Sequence, residues 1–372
     1  MYLGAHAFLR SPDGADSLEL VAFEQDENWV SEGILRRPDG GWYPIMDGLP
    51  VFPSAALTVD LAGFAAKHGL EYDQTQAEDA SGQSITNTTF SDKWQRFQNY
   101  GFEDSHKAFL QDWYVKKFGL NSREDLPGFI GQFENILEVG PGSGFNSLAM
   151  AQHCKGSVCA VDISEAARTT MGNVRAQRNC HAIQADLFHT PFADETFDFV
   201  IADGVLHHTP STKGAMNALF RKVRPGGKFF FYVYRKMGAL RVFADEHIRE
   251  AFMEMEPEDC YAACRPITEL GRELSKLNAS VTLENPIPEL GIPAGTHDVQ
   301  RLIYYNILKC FWNDAFDFET NNMVNFDWYH PHHAWQQTEE EVTGWLQELN
   351  VTEYVINDAN PNGISVLLTK PE

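Results

Sequence analysis

The chain has 372 residues, enough for two domains or one enlarged domain, and its hydrophobic fraction of 43% and charged fraction of 22% are typical of a globular protein. Its 52 acidic residues outnumber the 29 basic ones and give a net charge of −23, which argues against nucleic acid as a partner because neutralising phosphates requires a basic face. Without a run of about 18 apolar residues or a signal-like N-terminus, we expect a cytoplasmic protein that does not bind membranes.

A repeated hexapeptide marks the first 60 residues: LRSPDG recurs as LRRPDG, and GWYPIMDGLPV follows the second copy. The pattern resembles the Trm112-like zinc-ribbon modules, in which two C-P-x-C knuckles precede a similar tail. Here the four knuckle cysteines are replaced by Ser11, Gly14, Arg37 and Gly40, so we predict a β-rich module over residues 1–60 without zinc. Modules of that family can activate a partner protein, so this one could brace or dimerise the remaining chain, or act only as a stabilising cap.

Residues 61–130 are predicted to be a linker followed by a helical lid. The apolar stretch from Leu57 to His68 indicates a helix, whereas Glu71 to Thr89 is polar and is expected to be irregular. From Phe90 the sequence FSDKWQRFQNYGFEDSHKAFLQDWYVKKF is aromatic and has helical periodicity. We expect most of these aromatic side chains to pack in a core and the remainder to line the lid.

The most informative stretch is NILEVGPGSGFNSLAM, residues 135–150. An apolar run that contains Glu138 predicts a buried parallel strand. Three glycines at alternate positions, Gly140, Gly142 and Gly144, then precede a helical pattern. A strand, a glycine-rich turn and a helix together form a nucleotide pocket, because glycine lets the backbone approach a ligand closely. The spacing differs from the dinucleotide pattern G-x-G-x-x-G.

Acidic residues follow the next three predicted strands in turn: SVCAVD ends at Asp162, IQAD at Asp186 and FDFVIAD at Asp203. GVLHHTP and VRPGG come after them, and together with the E-x-G-x-G-x-G turn these landmarks resemble the class I methyltransferases that depend on S-adenosyl-L-methionine (SAM). The resemblance implies an α/β, Rossmann-like fold with a seven-stranded, mostly parallel sheet, preceded by the small N-terminal β-rich module. It also implies SAM as cofactor and S-adenosyl-L-homocysteine (SAH) as product.

The resemblance assigns parts of SAM to individual residues of this chain. Glu138 and the three glycines match the methionine site, Asp162 the ribose site, and Asp186 with Leu187 the adenine site. Ile163 and Asp203 are also placed in the cofactor site. Among candidates for catalysis, His207 and His208 follow the fourth strand and Tyr234 ends the fifth. Either histidine could remove a proton from an acceptor, although a histidine in this turn could equally serve packing.

The methyltransferase domain is predicted over residues 131–372, with a helical substrate insertion at 236–337. Its helices are expected at 240–255, 262–277 and 299–312, and it ends in NFDWYHPHHAW, which contains His330. Its histidines suggest either a metal site or an aromatic pocket, and their closeness in sequence favours the pocket and no metal, with plain packing of an irregular loop as the remaining alternative. A capping box from Thr338 and two strands, 351–356 and 363–368, are predicted to complete the fold.

We therefore predict a SAM-dependent methyltransferase whose small-molecule acceptor is enclosed by the helical insertion. The alternatives are methylation of tRNA or protein, which the N-terminal resemblance suggests, and a non-catalytic subunit that binds a partner. The six cysteines are not expected to form disulfides, and Cys260 and Cys264 are interpreted as core residues rather than a metal site.

Overall fold

The computed structural model describes residues 1–12, 16–57, 59–72, 79–357 and 361–372. The helices within this part of the chain are α1 (Leu3–His6), α2 (Leu61–His68), α3 (Gln83–Arg96), α4 (Asp104–Lys117), α5 (Asp125–Ile130), α6 (Phe145–Ala151), α7 (Ala166–Val174), α8 (Thr212–Lys222), α9 (Ala239–Phe252), α10 (Pro257–Lys276), α11 (Val299–Asn306), α12 (Phe318–Tyr329) and α13 (Glu339–Glu348). None of these helices is long and apolar enough to cross a membrane.

The strands that the structure describes are β1 (Glu19–Asp26), β2 (Trp29–Arg36), β3 (Trp42–Met46), β4 (Leu49–Phe52), β5 (Asn135–Val139), β6 (Ser157–Asp162), β7 (Cys180–Ala185), β8 (Phe197–Asp203), β9 (Val223–Arg235), β10 (Ser280–Leu283), β11 (Gly295–Asp298), β12 (Gln336–Gln337), β13 (Tyr354–Asn357) and β14 (Gly363–Thr369). Twelve of them form one mixed sheet in the order β1-β2-β3-β4-β7-β6-β5-β8-β9-β14-β13, with β12 pairing beside β9.

Strands β7, β6, β5, β8 and β9 are parallel, and β14 and β13 close the sheet in antiparallel pairing. Their residues are buried on both faces, as expected for parallel strands covered by helices. These seven strands are joined by β1 to β4 at one edge and by the short β12 beside β9, which together give the twelve strands of the sheet.

The N-terminal strands extend the sheet through β4, which pairs in parallel with β7 at Val51–Gln184 and Phe52–Ala185. Asp47 and Gly48, with φ of 52° and 82°, form the tight turn between β3 and β4, and two successive positive φ angles are typical of a type I′ hairpin. Strands β1 to β4 are therefore continuous with the parallel part of the sheet.

Two of the four knuckle positions of the predicted zinc-free module, Arg37 and Gly40, lie in one turn. Arg37 donates its backbone N–H to the Gly41 carbonyl at 2.7 Å, and Gly40 donates to the Arg37 carbonyl at 3.1 Å. Ser11 is buried and donates its backbone N–H to the Asp16 carbonyl at 2.9 Å, whereas Gly14 lies outside the described residues. No group of three histidine, cysteine, aspartate or glutamate side chains in the described part of the chain could hold a metal ion.

The first two helices of residues 61–130, α2 and α3, differ from the sequence prediction. Helix α2 begins at Leu61 rather than Leu57, because the Asp60 carboxylate caps it by accepting from the Gly63 N–H at 2.8 Å. The stretch 71–89, predicted to be irregular, contains the first half of α3, which begins at Gln83. Residues 58 and 73–78 of these two predictions lie outside the described residues.

The insertion contains α9 to α12 and an additional hairpin, β10–β11, around the proline-rich loop. Helix α10 begins at Pro257 rather than at 262, since proline suits the first turn of a helix. Helix α11 ends at Asn306 rather than at 312, because side chains take the next backbone donors: Asp245 accepts from the Lys309 N–H at 3.0 Å and Asn325 from the Phe311 N–H at 2.8 Å. The segment 325–329 forms the end of α12.

The C-terminal elements agree with the sequence. Thr338 and Glu341 form the predicted capping box at the start of α13, which confirms that prediction. Strands β13 and β14 pair in antiparallel fashion at 354–357 and 363–369, so the first is shorter than predicted. The turn predicted between them includes residues 358–360, which lie outside the described residues.

Candidate functional site

A cavity of about 370 Å³ lies at the carboxyl ends of the parallel strands, where open α/β sheets bind ligands. Helices α3 and α4 cover it, and α12 contributes Asp327. Nine of the site residues predicted from sequence line it: Glu138, Gly140, Asp162, Ile163, Asp186, Leu187, Asp203, His208 and Tyr234. Four others, Gly142, Gly144, His207 and His330, are not among its lining residues.

The glycine-rich turn between β5 and α6 requires all three of its glycines. Gly140, Gly142 and Gly144 have φ of 69°, 60° and 82°, a region that other residues rarely adopt. A Cβ atom at Gly140 would overlap Val205, and one at Gly142 would overlap the Trp94 ring. Gly142 and Gly144 therefore allow the backbone conformation of the turn and leave space for the side chains that pack against it. Gly140 does the same and also lines the cavity.

Two carboxyl groups at the cavity floor are buried and have raised pKa values. Glu138 accepts from the Ser147 hydroxyl and, at 3.3 Å, from Asn146 Nδ2, yet burial raises its pKa to about 7. Asp162 accepts from the Ser164 N–H at 2.9 Å and its hydroxyl at 2.7 Å, and burial raises its pKa to about 6. A bound ligand with hydrogen-bond donors would favour the ionised form of both groups.

The other two strand-end acids have different partners. Asp186 caps the short 3₁₀ turn at 187–189 by accepting from the Phe188 N–H at 2.9 Å. Asp203 forms an ion pair with Lys117 of α4, and the Lys117 Nζ atom lies 4.3 Å from the centre of the Tyr232 ring. Burial lowers the pKa of Lys117, while the nearby carboxylate of Asp203 acts to raise it.

A second buried ion pair joins the lid to the insertion across the cavity. Lys93 of α3 lies 2.6 Å from Asp327 of α12, and its Nζ atom is 4.6 Å from the Trp94 ring centre. Both lysines thus lie against cavity aromatics, where an ammonium group is favoured. Lys93 therefore covers one face of the Trp94 ring, and Lys117 covers one face of the Tyr232 ring. These two faces are not open to a positively charged ligand in the cavity.

The structure separates the three candidate histidines. His208 lines the cavity, and its Nδ1 atom lies 2.7 Å from the His333 carbonyl. A carbonyl only accepts, so Nδ1 carries the proton and Nε2 keeps its lone pair. Burial lowers the pKa of His208 to about 4, which keeps the ring neutral.

His207 and His330 occupy packing positions instead. The His207 ring lies 3.7 Å from the Tyr234 ring, centre to centre, and neither ring nitrogen has a hydrogen-bond partner among the described residues. His330 contacts the Thr89 hydroxyl at 2.7 Å and the Met255 carbonyl at 2.9 Å, so one nitrogen links the end of α12 to the lid and the other links it to the segment between α9 and α10. The prediction that His330 faces an acceptor pocket is not supported by this position; Asp327, one turn earlier, lines the cavity instead.

Most of the cavity-lining residues that belong to the lid are not predicted as site residues from the sequence. The cavity residues outside the predicted site set include Gln83, Asn87, Lys93, Trp94, Tyr100, Trp113, Tyr114, Lys117, Tyr232 and Asp327. The aromatic periodicity after Phe90 was the available signal for Trp94 and Tyr100. Nothing in the sequence pairs Lys93 with Asp327, because 234 residues separate them along the chain.

Comparison with known proteins gives one family match. A family model described as "Methyltransferase domain" matches residues 137–231, about a quarter of the chain, which runs from β5 into β9. The curated relatives include 24-methylenesterol C-methyltransferase 2 of Arabidopsis thaliana, 23% identical over 41% of this chain and 44% of that protein. Ubiquinone biosynthesis O-methyltransferase of Sinorhizobium medicae is 25% identical over 60% of this chain and 83% of that protein.

Among solved structures, 1,6-didemethyltoxoflavin-N1-methyltransferase of Burkholderia thailandensis aligns with a TM-score of 0.42 and 11% identity, over 82% of this chain and 95% of that chain. The chain spans less than half the length of the first curated relatives that it matches. The family match and the curated relatives support a SAM-dependent methyltransferase domain within this chain.

Proposed function

We propose that the protein transfers the methyl group of SAM to a small-molecule acceptor. The observation that carries the proposal is that Glu138, Asp162 and Asp186, at the ends of β5, β6 and β7 in the matched segment, line one cavity. Acids in this arrangement can hold an amino group, two ribose hydroxyls and an adenine amine of one extended ligand.

The residues of this chain fit that cofactor in their donor and acceptor character. Glu138 and the turn that begins at Gly140 would hold the methionine part, and Asp162 the ribose. Asp186 and Leu187 would hold the adenine. The Lys117 ammonium, which uses one N–H on Asp203, has further donors for a carboxylate at the methionine end. Bound SAM supplies an electrophilic methyl group, and the protein mainly supplies alignment and exclusion of water.

A small acceptor agrees with how the cavity is enclosed. Tyr234 of β9, Asp327 of the insertion and Lys93 of the lid line it from three directions. Two of the curated relatives are named 24-methylenesterol C-methyltransferase and ubiquinone biosynthesis O-methyltransferase, and both names refer to small molecules. The net charge of −23 argues against the alternative of tRNA.

His208 is the residue that we assign to proton removal. Its Nε2 atom has no hydrogen-bond partner among the described residues, and its ring is neutral because burial lowers the pKa to about 4. Nε2 would accept the proton from a hydroxyl, ammonium or thiol acceptor, while the His333 carbonyl holds Nδ1–H and fixes the tautomer. Tyr234, whose ring lies beside that of His208, would position the acceptor.

We interpret the first 60 residues as a Trm112-like module that has lost its zinc ligands. The turn at Arg37–Gly41 and the hairpin β3–β4 coincide with the second knuckle and the tail of the pattern. Its place at the sheet edge supports the bracing role over that of a detached binding module.

The proposal can be tested by incubating the protein with SAM labelled in its methyl group and separate pools of small metabolites, tRNA and protein. Label is expected in the small-molecule pool only. Transfer to tRNA or protein would contradict the proposed acceptor class. Absence of transfer to any pool, in a protein that binds SAM, would favour the non-catalytic alternative.

A further inference from the structure

A chain of two side-chain amides connects the N-terminal strands to the cavity. Asn87 donates from Nδ2 to the Ala56 carbonyl at 2.8 Å, and Gln83 donates from Nε2 to Asn87 Oδ1 at 2.9 Å. Because a backbone carbonyl only accepts, Ala56 fixes which end of the Asn87 amide faces it, and Asn87 then fixes the orientation of Gln83. The Oε1 atom of Gln83 is consequently left at the end of this amide relay.

That oxygen is buried without a partner. Gln83 and Asn87 are each only 8% exposed, and both line the cavity. Gln83 Oε1 has no hydrogen-bond partner among the described residues. A buried acceptor without a donor is unfavourable, so its fixed orientation indicates a ligand that donates a hydrogen bond at this point.

The topology places Ala56, where the amide relay begins, at the same edge of the sheet as Asp186. Strand β4 runs parallel to β7, with Phe52 opposite Ala185. The chain therefore leaves both strands at the same edge of the sheet, Ala56 four residues after Phe52 and Asp186 directly after Ala185. Gln83, Asn87, Asp186 and Leu187 all line the one cavity.

We propose that Gln83 accepts a hydrogen bond from the exocyclic amino group of the cofactor's adenine, and that the N-terminal strands orient it through Ala56 and Asn87. This inference rests on the proposed function and assigns a specificity role to a lid residue outside the glycine-rich and acidic motifs. It also gives the N-terminal module a part in cofactor recognition that does not require zinc.

The test compares binding of SAH with binding of its analogue in which hydrogen replaces the adenine amino group. Calorimetry on the full-length protein is expected to show that the wild type prefers SAH by about tenfold or more, the worth of one or two buried hydrogen bonds. In Gln83→Met, SAH should bind about tenfold more weakly while the analogue is little affected, so that the preference shrinks. The matched control Gln95→Met, an exposed position on the same helix, should keep the wild-type preference.

Asn87→Leu provides a second variant, because it leaves Gln83 in place but frees its amide to rotate. Its preference for SAH is expected to fall between those of the wild type and Gln83→Met. An unchanged preference in either folded variant would overturn the inference while leaving the proposed function intact. Failure of the wild type to bind either compound would instead reject the proposed function itself.

Discussion

Among the single residues of the site, two acids are held in surroundings that disfavour their ionised form. Glu138 and Asp162 are both buried in the cavity floor, and burial raises their pKa values to about 7 and about 6. Within the described part of the chain neither pairs with a lysine or arginine; their hydrogen bonds come from serine and asparagine side chains and from a backbone N–H group. In the ligand-free protein, ionisation of these two carboxyl groups therefore lowers the free energy of unfolding. A bound ligand that donates hydrogen bonds to the carboxylates restores that stability.

Replacing Glu138 with glutamine tests this cost. A carboxyl group whose pKa is raised in the folded state holds its proton more tightly there than in the unfolded chain, so stability falls as pH rises from about 4.5 through about 7. A shift of this size corresponds to about 3 kcal/mol. We expect Glu138→Gln to unfold at higher urea than the wild type at about pH 8 and to lose that advantage at about pH 4.5.

Urea titrations of the ligand-free protein at both pH values are the measurement. Equal differences between the two proteins at both pH values would show that the Glu138 carboxyl group does not carry this cost.

The two adjacent histidines give a second prediction at this scale. Once an acceptor is identified, His208→Gln should reduce kcat by about 10²- to 10⁴-fold, the usual contribution of a general base, with SAH affinity retained. The same substitution at His207, which lies behind Tyr234 and outside the cavity lining, should cost much less. A larger loss of kcat in His207→Gln than in His208→Gln would reverse the assignment.

At the scale of elements, the lid and the insertion are joined by buried charges rather than by apolar packing alone. Lys93 and Asp327 approach to 2.6 Å with side chains that are 9% and 18% exposed. Lys117 makes the corresponding link between α4 and β8 through Asp203. Each pair ties a helix that covers the cavity to an element that forms its wall.

Replacing one member of the Lys93–Asp327 pair should destabilise the protein more than replacing both members. Lys93→Met leaves the Asp327 carboxylate without its partner, and the loss of one member of a buried pair typically costs about 3–5 kcal/mol. The double variant Lys93→Met/Asp327→Leu should recover most of that loss, because no charge remains uncompensated. Thermal unfolding of the two variants and the wild type tests this, and a double variant less stable than Lys93→Met would contradict it.

The junction between β4 and β7 is the second element-scale feature open to test. Phe52 is 1% exposed in the core that the N-terminal strands share with the parallel strands. Phe52→Ala should cost about 3–5 kcal/mol in the free energy of unfolding. Phe243→Ala, at a position that is 71% exposed, serves as the matched control and should cost little. A single urea transition shifted only in Phe52→Ala is expected; separate transitions would show that the N-terminal strands unfold independently.

Over the whole molecule, the sequence predicted those parts that depend on local pattern. The order of β5 to β9, the acids at their ends and the capping box at Thr338 each follow from a few neighbouring residues. The parallel pairing of β4 with β7 could not be predicted, since it joins residues 133 positions apart through backbone groups that any sequence possesses.

The site residues that the sequence does not predict also depend on contacts between distant parts of the chain. The aromatic residues around His330 favour it as a pocket residue, yet Asp327, one turn earlier on α12, lines the cavity instead. Lys93, Lys117 and Gln83 belong to the lid, and their place at the site depends on how α3 and α4 fold over the sheet. Such contacts arise from tertiary packing, which no short motif encodes.

The most direct test of the account is calorimetric titration of SAH into the wild type, Asp162→Ala and the control Asp26→Ala, which alters an exposed acid at the end of β1. The account predicts micromolar binding to the wild type and to Asp26→Ala, with binding lost in Asp162→Ala because the ribose loses its acceptor. Absence of binding in the wild type, or equal binding in all three proteins, would contradict it.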